Sequence, residues 1–428
     1  MSQKPVVIVG AGITGLVLAQ ALIKQSIPVV IYERDPDPLH RGKGWGITIH
    51  WALSSLLELL PQRIIGRLPE AYVDGDATRN GENGNFLFFN LVTAEALWQV
   101  PPSKRIRMAR EKFRRVLMDG IPIKWNHTFE SFQAGADGSA TANFSTPSGS
   151  HTVEGCLIVG CDGSRSRVRS SLFPDPAVHN NYQLPVRLLG ASTIYPKELT
   201  APVRKLDPFF FQGGDPKTDA AHWFSFLDSP ASSGRGDDSR ECQILVSWPY
   251  RPGFLGESEP LEIPAKGIER VKAMKRISHN WADPFRTIVQ SIPDDTDVKT
   301  ITLEDWVPPQ DNWNAISGSD CVILVGDSAH AMTMYRGEAA NHGIADVHLL
   351  VSYILPVLTK ADTESSEISD ACKAYTKGMV ERAAPAVLRS RTACLDAHEY
   401  KKINDDSPLI QKRVIRTEPA APLAVEAP

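Results

Sequence analysis

Three glycines near the amino terminus are spaced so that they can bind a phosphate group. Gly10, Gly12 and Gly15 follow the apolar run Val6–Val9 and open a segment of helical composition, Leu16–Lys24. In such a turn the first glycine permits a tight bend, the second lets the backbone approach a pyrophosphate, and the third lets the helix pack closely on the strand. The unpaired N–H groups of the helix face that anion. The motif therefore predicts a dinucleotide-binding turn.

An acidic residue stands where the ribose of such a ligand is expected. Glu33 ends a second apolar run, Val29–Tyr32, at the usual distance of about 20 residues from the glycines. A carboxylate at this place accepts hydrogen bonds from ribose hydroxyls and disfavours a 2′-phosphate. We therefore predict FAD or NAD as the ligand rather than NADP, and we include the neighbouring Arg34 in the site.

Two later turns place an aspartate shortly after an apolar run. Asp162 and Gly163 follow Leu157–Gly160, and Asp327 follows Cys321–Val325. At Asp327 a carboxylate on such a turn can accept hydrogen bonds from a ribose or ribityl chain beside a helix N-terminus, or it can simply cap the helix. At Asp162 and Gly163 the residues taken alone indicate a structural turn beside a solvated basic cluster.

The elements that position these turns alternate between buried strands and helices, which indicates a parallel sheet. Short aromatic segments separated by Gly, Pro and Ser loops follow and indicate an antiparallel sheet. We predict a mixed α/β fold with a Rossmann-like cofactor domain, an inserted antiparallel-sheet substrate domain and C-terminal helices. The predicted boundaries are 1–174 and 306–400 for the cofactor domain, 175–305 for the sheet lobe and 401–428 for a tail whose end, Glu418–Pro428, is disordered.

Composition excludes several classes of protein. The 428 residues are 42% hydrophobic and 22% charged, which is typical of a folded soluble enzyme and not of a disordered chain. A net charge of −4 gives no general attraction to nucleic acid or anionic membrane. The six cysteines form no Cys-x-x-Cys pair, so no metal site is predicted. We expect a cytoplasmic protein without a signal peptide or a transmembrane segment.

The three motifs occur in order along the chain, and together they resemble the FAD-dependent aromatic-hydroxylase-like monooxygenases, which include p-hydroxybenzoate and salicylate hydroxylases. The amino-acid sequence of Gly44–Thr48 is similar to that of the corresponding segment in fungal secondary-metabolite members. The resemblance implies FAD, with NADPH or NADH as a transient reductant and O2 as cosubstrate. It also implies a C4a-hydroperoxyflavin that hydroxylates or epoxidises an aromatic, polyene or indole-type small molecule.

The resemblance assigns roles residue by residue. The three glycines would hold the FAD pyrophosphate and Glu33 the adenosine ribose, while Asp327 would bind the ribityl chain. Asp162 and Gly163 would serve both FAD and the reduced nicotinamide, and the loop Gly337–Asn341 would face the flavin pyrimidine ring. The cofactor residues predicted in this way are Gly10, Gly12, Gly15, Glu33, Arg34, Arg41, Gly46, Arg110, Asp162, Gly163, Asp327, Gly337, Ala339, Ala340 and Asn341.

Departures from the family pattern add candidate catalytic residues. Met334 stands where the family has proline, and Ala339 replaces the second glycine of a Gly-x-Gly loop. Arg336 and Glu338 add charge there. In the structural interpretation both side chains point to solvent or pair with each other, and in the functional one they set substrate polarity or proton supply. Arg187, on a predicted strand, either projects toward the flavin to support a peroxide or oxyanion, or forms a structural salt bridge.

Aromatic residues of the predicted sheet lobe are candidates for an apolar substrate pocket: Phe209, Phe211, Trp223 and Phe226. Aromatics on a half-buried sheet also serve as simple core. Two other functions stay open, namely a non-redox FAD enzyme that cyclises or isomerises its substrate, and a flavin-binding scaffold or sensor. The altered loop at Gly337–Ala339 motivates the first, and the elaborate second lobe argues against the other.

Overall fold

In the computed structural model, two sheets carry the architecture and face each other across a cavity. The residues described are 4–40, 44–82, 84, 86–100, 104–135, 138–311, 313, 316, 318–360 and 364–414. Arg41 and Glu418–Pro428, for which the sequence makes predictions, lie outside the described residues.

The first sheet is parallel, and its central strand is buried on both faces. Val6, Val7, Ile8 and Val9 expose at most 4% of their surface, which explains the unbroken run of β-branched side chains. In spatial order its strands are Val322–Leu324, Leu157–Gly160, Val6–Val9, Val29–Tyr32 and Ile123–Lys124.

Helices cover the parallel sheet. The first helix, Ile13–Lys24, packs against the long helix Ala339–Leu358, which in turn packs against Ser365–Ala397. The other helices are Leu53–Leu59, Gln62–Ile65, Gly75–Arg79, Arg110–Leu117, Arg167–Leu172, Pro176–His179, Lys197–Leu206, Pro230–Ser233, Gly267–Ile277, Phe285–Gln290 and Asp327–His330. Single 3-10 turns lie at Leu68–Ala71, Phe254–Gly256, Met334–Arg336 and Tyr400–Lys402. None of the helices in the described ranges is long and apolar enough to span a bilayer.

The second, larger sheet has seven strands and is mostly antiparallel. In spatial order these are Lys299–Thr300, Val186–Tyr195, Arg240–Pro249, Ala221–Phe226, Phe210–Gly214, Phe86–Asn90 and Ala96–Val100. One face packs on the helices Gly267–Ile277 and Phe285–Gln290, while the other faces the cavity and the end of the last long helix. Smaller sheets pair Gly46–Ile49 with Ile106–Ala109, Tyr182–Gln183 with Glu304–Asp305, and Thr128–Ala134, Ala140–Thr146 and Gly149–Gly155 with one another.

The predicted mixed α/β class is confirmed, and one detail differs from the predicted sheet lobe. Strands Phe86–Asn90 and Ala96–Val100 join the large sheet although they precede residue 175, and Phe210–Gly214 pairs with Phe86–Asn90 in parallel. The described start of the predicted tail is packed, because Leu409 and Ile410 are buried against the large sheet and the last helix.

Candidate active site

A cavity of about 390 Å³ lies between the carboxyl ends of the parallel strands and the inner face of the large sheet. Ligands of open α/β sheets bind at this edge, where the strand ends and helix starts meet. Each of the three predicted turns contributes to the cavity wall. The predicted cofactor residues among its lining are Gly10, Gly12, Glu33, Arg34, Gly46, Arg110, Asp162, Gly163, Asp327, Gly337, Ala339 and Ala340.

The first glycine turn is held from two sides. Gly10 has a φ of +105°, and a Cβ there would lie 2.5 Å from the carbonyl oxygen of Cys161. Gly15 lies outside the cavity and sets the approach of helix to strand, since a Cβ there would lie 2.3 Å from the carbonyl oxygen of Gly10. A Cβ on Gly12 would meet its nearest atom only at 4.0 Å, so the backbone at Gly12 is open toward the cavity.

Glu33 braces this turn from the second strand. Its Oε2 accepts a hydrogen bond from the backbone N–H of Ala11 at 2.7 Å, and its Oε1 accepts one from Asp35 N at 3.1 Å. The carboxylate is 4% exposed and lines the cavity. Glu33 is thus placed both to shape the turn and to meet a hydroxyl group of a ligand.

The Asp162 carboxylate is largely engaged in starting a helix. It accepts hydrogen bonds from Ser166 Oγ at 2.5 Å, from Arg167 N at 2.7 Å and from Val168 N at 3.2 Å. Burial raises the pKa of Asp162. The side chain of Asp162 therefore helps to start the helix Arg167–Leu172, while Gly163, with a φ of +87°, leaves the backbone at the cavity wall.

Asp327 is the carboxylate at the third turn, and it is exposed toward the cavity that it lines. Desolvation by the surrounding protein raises its pKa, and the nearby His330 and Arg110 oppose that effect. Arg110 begins the helix Arg110–Leu117, and it lines the same cavity as the glycine turn. The site thus sets a carboxylate and a guanidinium close enough to influence each other within one cavity.

A buried charged network supports the third turn from behind. Asp346 Oδ2 accepts a hydrogen bond from Gly326 N at 2.7 Å and contacts His330 Nε2 at 2.5 Å, while its Oδ1 pairs with Arg382. His342 also contacts Arg382. Sequence reasoning missed Arg382, because it comes from a helix that carries no recognisable motif.

Asn341 lies outside the cavity and ties the loop Gly337–Asn341 to the strand Gly46–Ile49. Its Oδ1 accepts a hydrogen bond from His50 N at 2.9 Å, and its Nδ2 donates one to Thr48 O at 2.9 Å. It therefore acts on the site through its neighbours. A side-chain amide suits this position because it can donate to one backbone group and accept from another.

Arg336 and Glu338 pair with each other and do not point to solvent. Arg336 Nε donates to Glu338 Oε2 at 2.5 Å, and the two side chains are only 4% and 5% exposed. Glu338 Oε1 also accepts a hydrogen bond from Trp51 Nε1 at 3.2 Å, and Arg336 contacts the carbonyl of Pro408. Glu338 lines the cavity and Arg336 lies behind it.

The prediction that Arg187 projects toward the flavin is wrong. Its neighbour Leu188 lines the cavity, and alternation along the strand Val186–Tyr195 turns Arg187 to the opposite face. There its guanidinium lies 3.4 Å from the ring centre of Tyr250 and 3.5 Å from Glu262. The salt-bridge interpretation is the one that fits.

We expect Arg187→Ala to leave the rate of flavin reduction by NADPH or NADH, whichever reduces the wild type, within about twofold of the wild-type rate, because a surface ion pair contributes little and the side chain is outside the cavity. Stopped-flow absorbance of the flavin band, at equal FAD content, measures that rate. A tenfold or larger loss would return Arg187 to the list of catalytic candidates.

Of the predicted substrate residues, only Trp223 lines the cavity; Phe209, Phe211 and Phe226 do not. The predicted role is corrected for these three because they are core residues: Phe211 and Phe226 pack on the outer face of the large sheet and Phe209 in a side cluster. The cavity face instead carries Gln212, Ala221, Trp223, Gln243, Leu245 and Ser247. Polar residues at alternate positions within otherwise apolar strands were the signal that could have identified this face.

Comparison with known proteins agrees with this geometry. A family model described as an FAD binding domain matches residues 3–183. A probable FAD-dependent monooxygenase of Arthroderma benhamiae is 52% identical over 420 residues, covering 95% of each chain. The chain belongs to the FAD-dependent monooxygenases. The monooxygenase is also 36% identical to the FAD-dependent monooxygenase tazP of Aspergillus terreus, over 82% of this chain and 89% of that protein.

A solved structure shows the same fold. The 2,6-dihydroxypyridine-3-hydroxylase from Arthrobacter nicotinovorans superposes with a TM-score of 0.73 at 15% identity, covering 99% of this chain and 100% of that chain. The cavity residues of the monooxygenase fit FAD on their own chemistry as well. An open glycine backbone at the start of a twelve-residue helix, Ile13–Lys24, suits a pyrophosphate, and the carboxylates of Glu33 and Asp327, which line the cavity, suit hydroxyl groups.

Proposed function

We propose that the monooxygenase uses NADPH or NADH and O2 to hydroxylate or epoxidise an aromatic or alkene-bearing small molecule of fungal secondary metabolism. One observation carries this proposal: a single cavity joins the glycine turn to an apolar wall on the large sheet. That wall includes Phe88, Leu188, Trp223 and Leu245 of the sheet, and Trp45 and Leu409 line the cavity as further apolar side chains. A substrate held there would lie against the cofactor with little water around it.

In this proposal the residues of the chain bind, orient and exclude water. The glycine turn, Glu33 and Asp327 would hold FAD, which when bound supplies the redox and oxygen chemistry. Glu338 belongs to the loop Gly337–Asn341, which would face the flavin pyrimidine ring. Its charge is balanced by Arg336, whose Nε lies 2.5 Å from Glu338 Oε2. The aromatic wall would hold the substrate ring. No nucleophile is required of the protein.

Anaerobic absorbance of the purified holoenzyme tests the proposal. We expect the flavin band to bleach on mixing with NADPH or NADH and to return when air is admitted. Adding an accepted substrate should accelerate bleaching and couple reoxidation to an oxygenated product detected by mass spectrometry. Titration with dithionite controls for a flavin that is accessible to reductant, because dithionite needs no nicotinamide site.

A non-redox use of FAD is the alternative that one observation favours. The loop Gly337–Ala339 has Ala339 where the family pattern has a second glycine, and its Glu338 forms a buried ion pair with Arg336. A flavin that dithionite reduces but neither nicotinamide reduces, with or without aromatic substrates, would overturn the proposed function and support cyclisation or isomerisation. Glu338→Gln and Arg336→Gln would then be the first variants to assay.

A further inference from the structure

A buried cation lines the cavity and has no carboxylate partner among the described residues. Arg107, on the strand Ile106–Ala109, is 5% exposed. Its terminal nitrogens donate to two neutral hydroxyl groups, Thr48 Oγ1 at 3.0 Å and Ser225 Oγ at 2.8 Å. Its Nε is buried and, in the part of the chain that the structure describes, has no hydrogen-bond partner.

Four other buried or half-buried arginines are paired with carboxylates, namely Arg235 with Asp228, Arg336 with Glu338, Arg382 with Asp346 and Arg391 with Asp305. Arg169, which is 2% exposed, instead donates to three backbone carbonyls and to Asn181 Oδ1. Arg107 differs from these five because it donates to two neutral hydroxyl groups and its Nε has no partner among the described residues. Burial lowers the pKa of its guanidinium to about 9, so the group is still a cation at neutral pH. An uncompensated buried charge is unfavourable, and it is relieved when an anion binds.

The surroundings of Arg107 belong to the proposed substrate side of the cavity. Its guanidinium carbon lies 5.5 Å from the ring centre of Phe210 and 5.8 Å from that of Trp223, and those two rings stack on each other. Ser225 also donates to Gln243 Oε1 at 3.1 Å, so the hydroxyl that orients Arg107 is itself held in place. A planar aromatic surface thus adjoins a fixed positive charge.

Two further features describe the surroundings of the Arg107 guanidinium. Gln212 Oε1 lines the same face, is buried and lacks a hydrogen-bond partner among the described atoms. A Cβ on Gly46 would lie 2.2 Å from a terminal nitrogen of Arg107, so the guanidinium packs directly over the bare backbone at Gly46. The site therefore offers one cation and one free acceptor beside an aromatic wall.

We propose that Arg107 binds an anionic oxygen of the substrate, so that the substrate class is an aromatic molecule that carries a carboxylate or an ionised phenol. Arg107 acts as a specificity-determining residue, and Gln212 accepts a hydrogen bond from a neutral hydroxyl of the same molecule. This inference rests on the proposed function for the identity of the pocket. The pyrophosphate of FAD is assigned to the glycine turn, and Arg107 is bonded to the large sheet instead.

Binding to the oxidised holoenzyme tests the inference without turnover, so its outcome is separate from that of the reduction assay. Perturbation of the flavin spectrum gives the Kd of matched pairs, each of an anion and a neutral analogue. One arm uses 2-naphthoate and its methyl ester, which reports on a carboxylate. The other uses pentafluorophenol, which is ionised at neutral pH, and phenol, which is not.

We expect the wild type to bind the anion of at least one pair at least about tenfold more tightly than its neutral analogue, and Arg107→Met to weaken that anion about 100-fold with little change for the neutral analogue. Arg107→Lys, which keeps the charge, should fall between them. Arg105→Met is the matched control, because Arg105 lies 5.5 Å from the same Phe210 ring but does not line the cavity. It should keep the wild-type preference.

The inference is overturned if the wild type prefers neither anion, a result that needs no variant to fold. It is also overturned if Arg107→Met retains wild-type FAD content and still prefers the anion. If Arg107→Met does not fold, Arg107→Lys provides the test. An ammonium group cannot form the paired hydrogen bonds of a guanidinium, so the Kd of the preferred anion must rise by a larger factor than the Kd of the neutral analogue.

Discussion

Replacing Asp346 with alanine is expected to lower the free energy of unfolding of the monooxygenase by about 3–5 kcal/mol, the usual effect of removing one partner from a buried ion pair. The change leaves Arg382 and His330 without their carboxylate and Gly326 N without its acceptor. Because Gly326 immediately precedes Asp327, we also expect the FAD content to fall. Urea unfolding followed by fluorescence measures the stability, and the ratio of flavin to protein absorbance measures the cofactor.

The charge of Asp346 sets the sign of the pH dependence. Burial alone would raise its pKa, but His330, Arg382 and the Gly326 N–H together lower it below the usual aspartate value. The stabilisation is therefore present at neutral pH and is lost as pH falls through the lowered pKa. Asp370→Ala, an exposed change on the same helix as Arg382, is the control and should leave both readouts unchanged. Equal stability of Asp346→Ala and wild type at neutral pH would contradict the prediction.

Gly15→Ala is expected to abolish stable FAD binding. The added Cβ would lie 2.3 Å from the carbonyl oxygen of Gly10 and 3.2 Å from side-chain atoms of Cys161 and Ile8. Backbone cannot yield as a flexible side chain does, so the helix must move away from the strand, at a cost of about 1–3 kcal/mol or more. That movement displaces the helix N-terminus from the cavity. Equilibrium dialysis against FAD and thermal unfolding of the apoprotein measure the two effects.

Gly12→Ala is the matched control for this prediction. Its Cβ would approach no atom closer than 4.0 Å, so the apoprotein should melt as the wild type does. Any loss of FAD affinity in that variant then reports contact with the cofactor and not a strained fold. A Gly15→Ala protein that purifies yellow and melts at the wild-type temperature would show that the close packing is not required.

The turns and the fold class could be predicted because their signals are local. Glycine spacing after a β-branched run defines the first turn, and the strand Val6–Val9 lies where the sequence places it. The inner face of the large sheet could not be predicted from aromatic content, since both faces are buried and carry aromatic rings. Phe211 lies on the outer face of the sheet and Trp223 on the inner face, because of their positions along their strands. Which of the two faces is the inner one depends on long-range strand pairing.

Arg187 and Arg107 show the same limit for charged residues. The partners of Arg187, Tyr250 and Glu262, are more than sixty positions away in sequence. Arg107 lies within a basic stretch in which only Arg110 matches the family pattern, and nothing local marks it as a buried cation that donates to two hydroxyl groups and not to a carboxylate. The burial and the ion-pair partners of these two arginines arise only when the sheets assemble. They therefore could not be predicted from residue spacing along the chain.

During synthesis the cavity stays incomplete until Leu409 has left the ribosome, because its wall includes both Val9 and Leu409. At 5–20 residues per second the stretch between these two residues takes about 20–80 s to make. For much of that time Val6–Val9 lacks its neighbour Leu157–Gly160 and presents an open, apolar strand edge. Cofactor capture is therefore a late event in the life of each molecule, and the nascent chain before it is a natural client for chaperones.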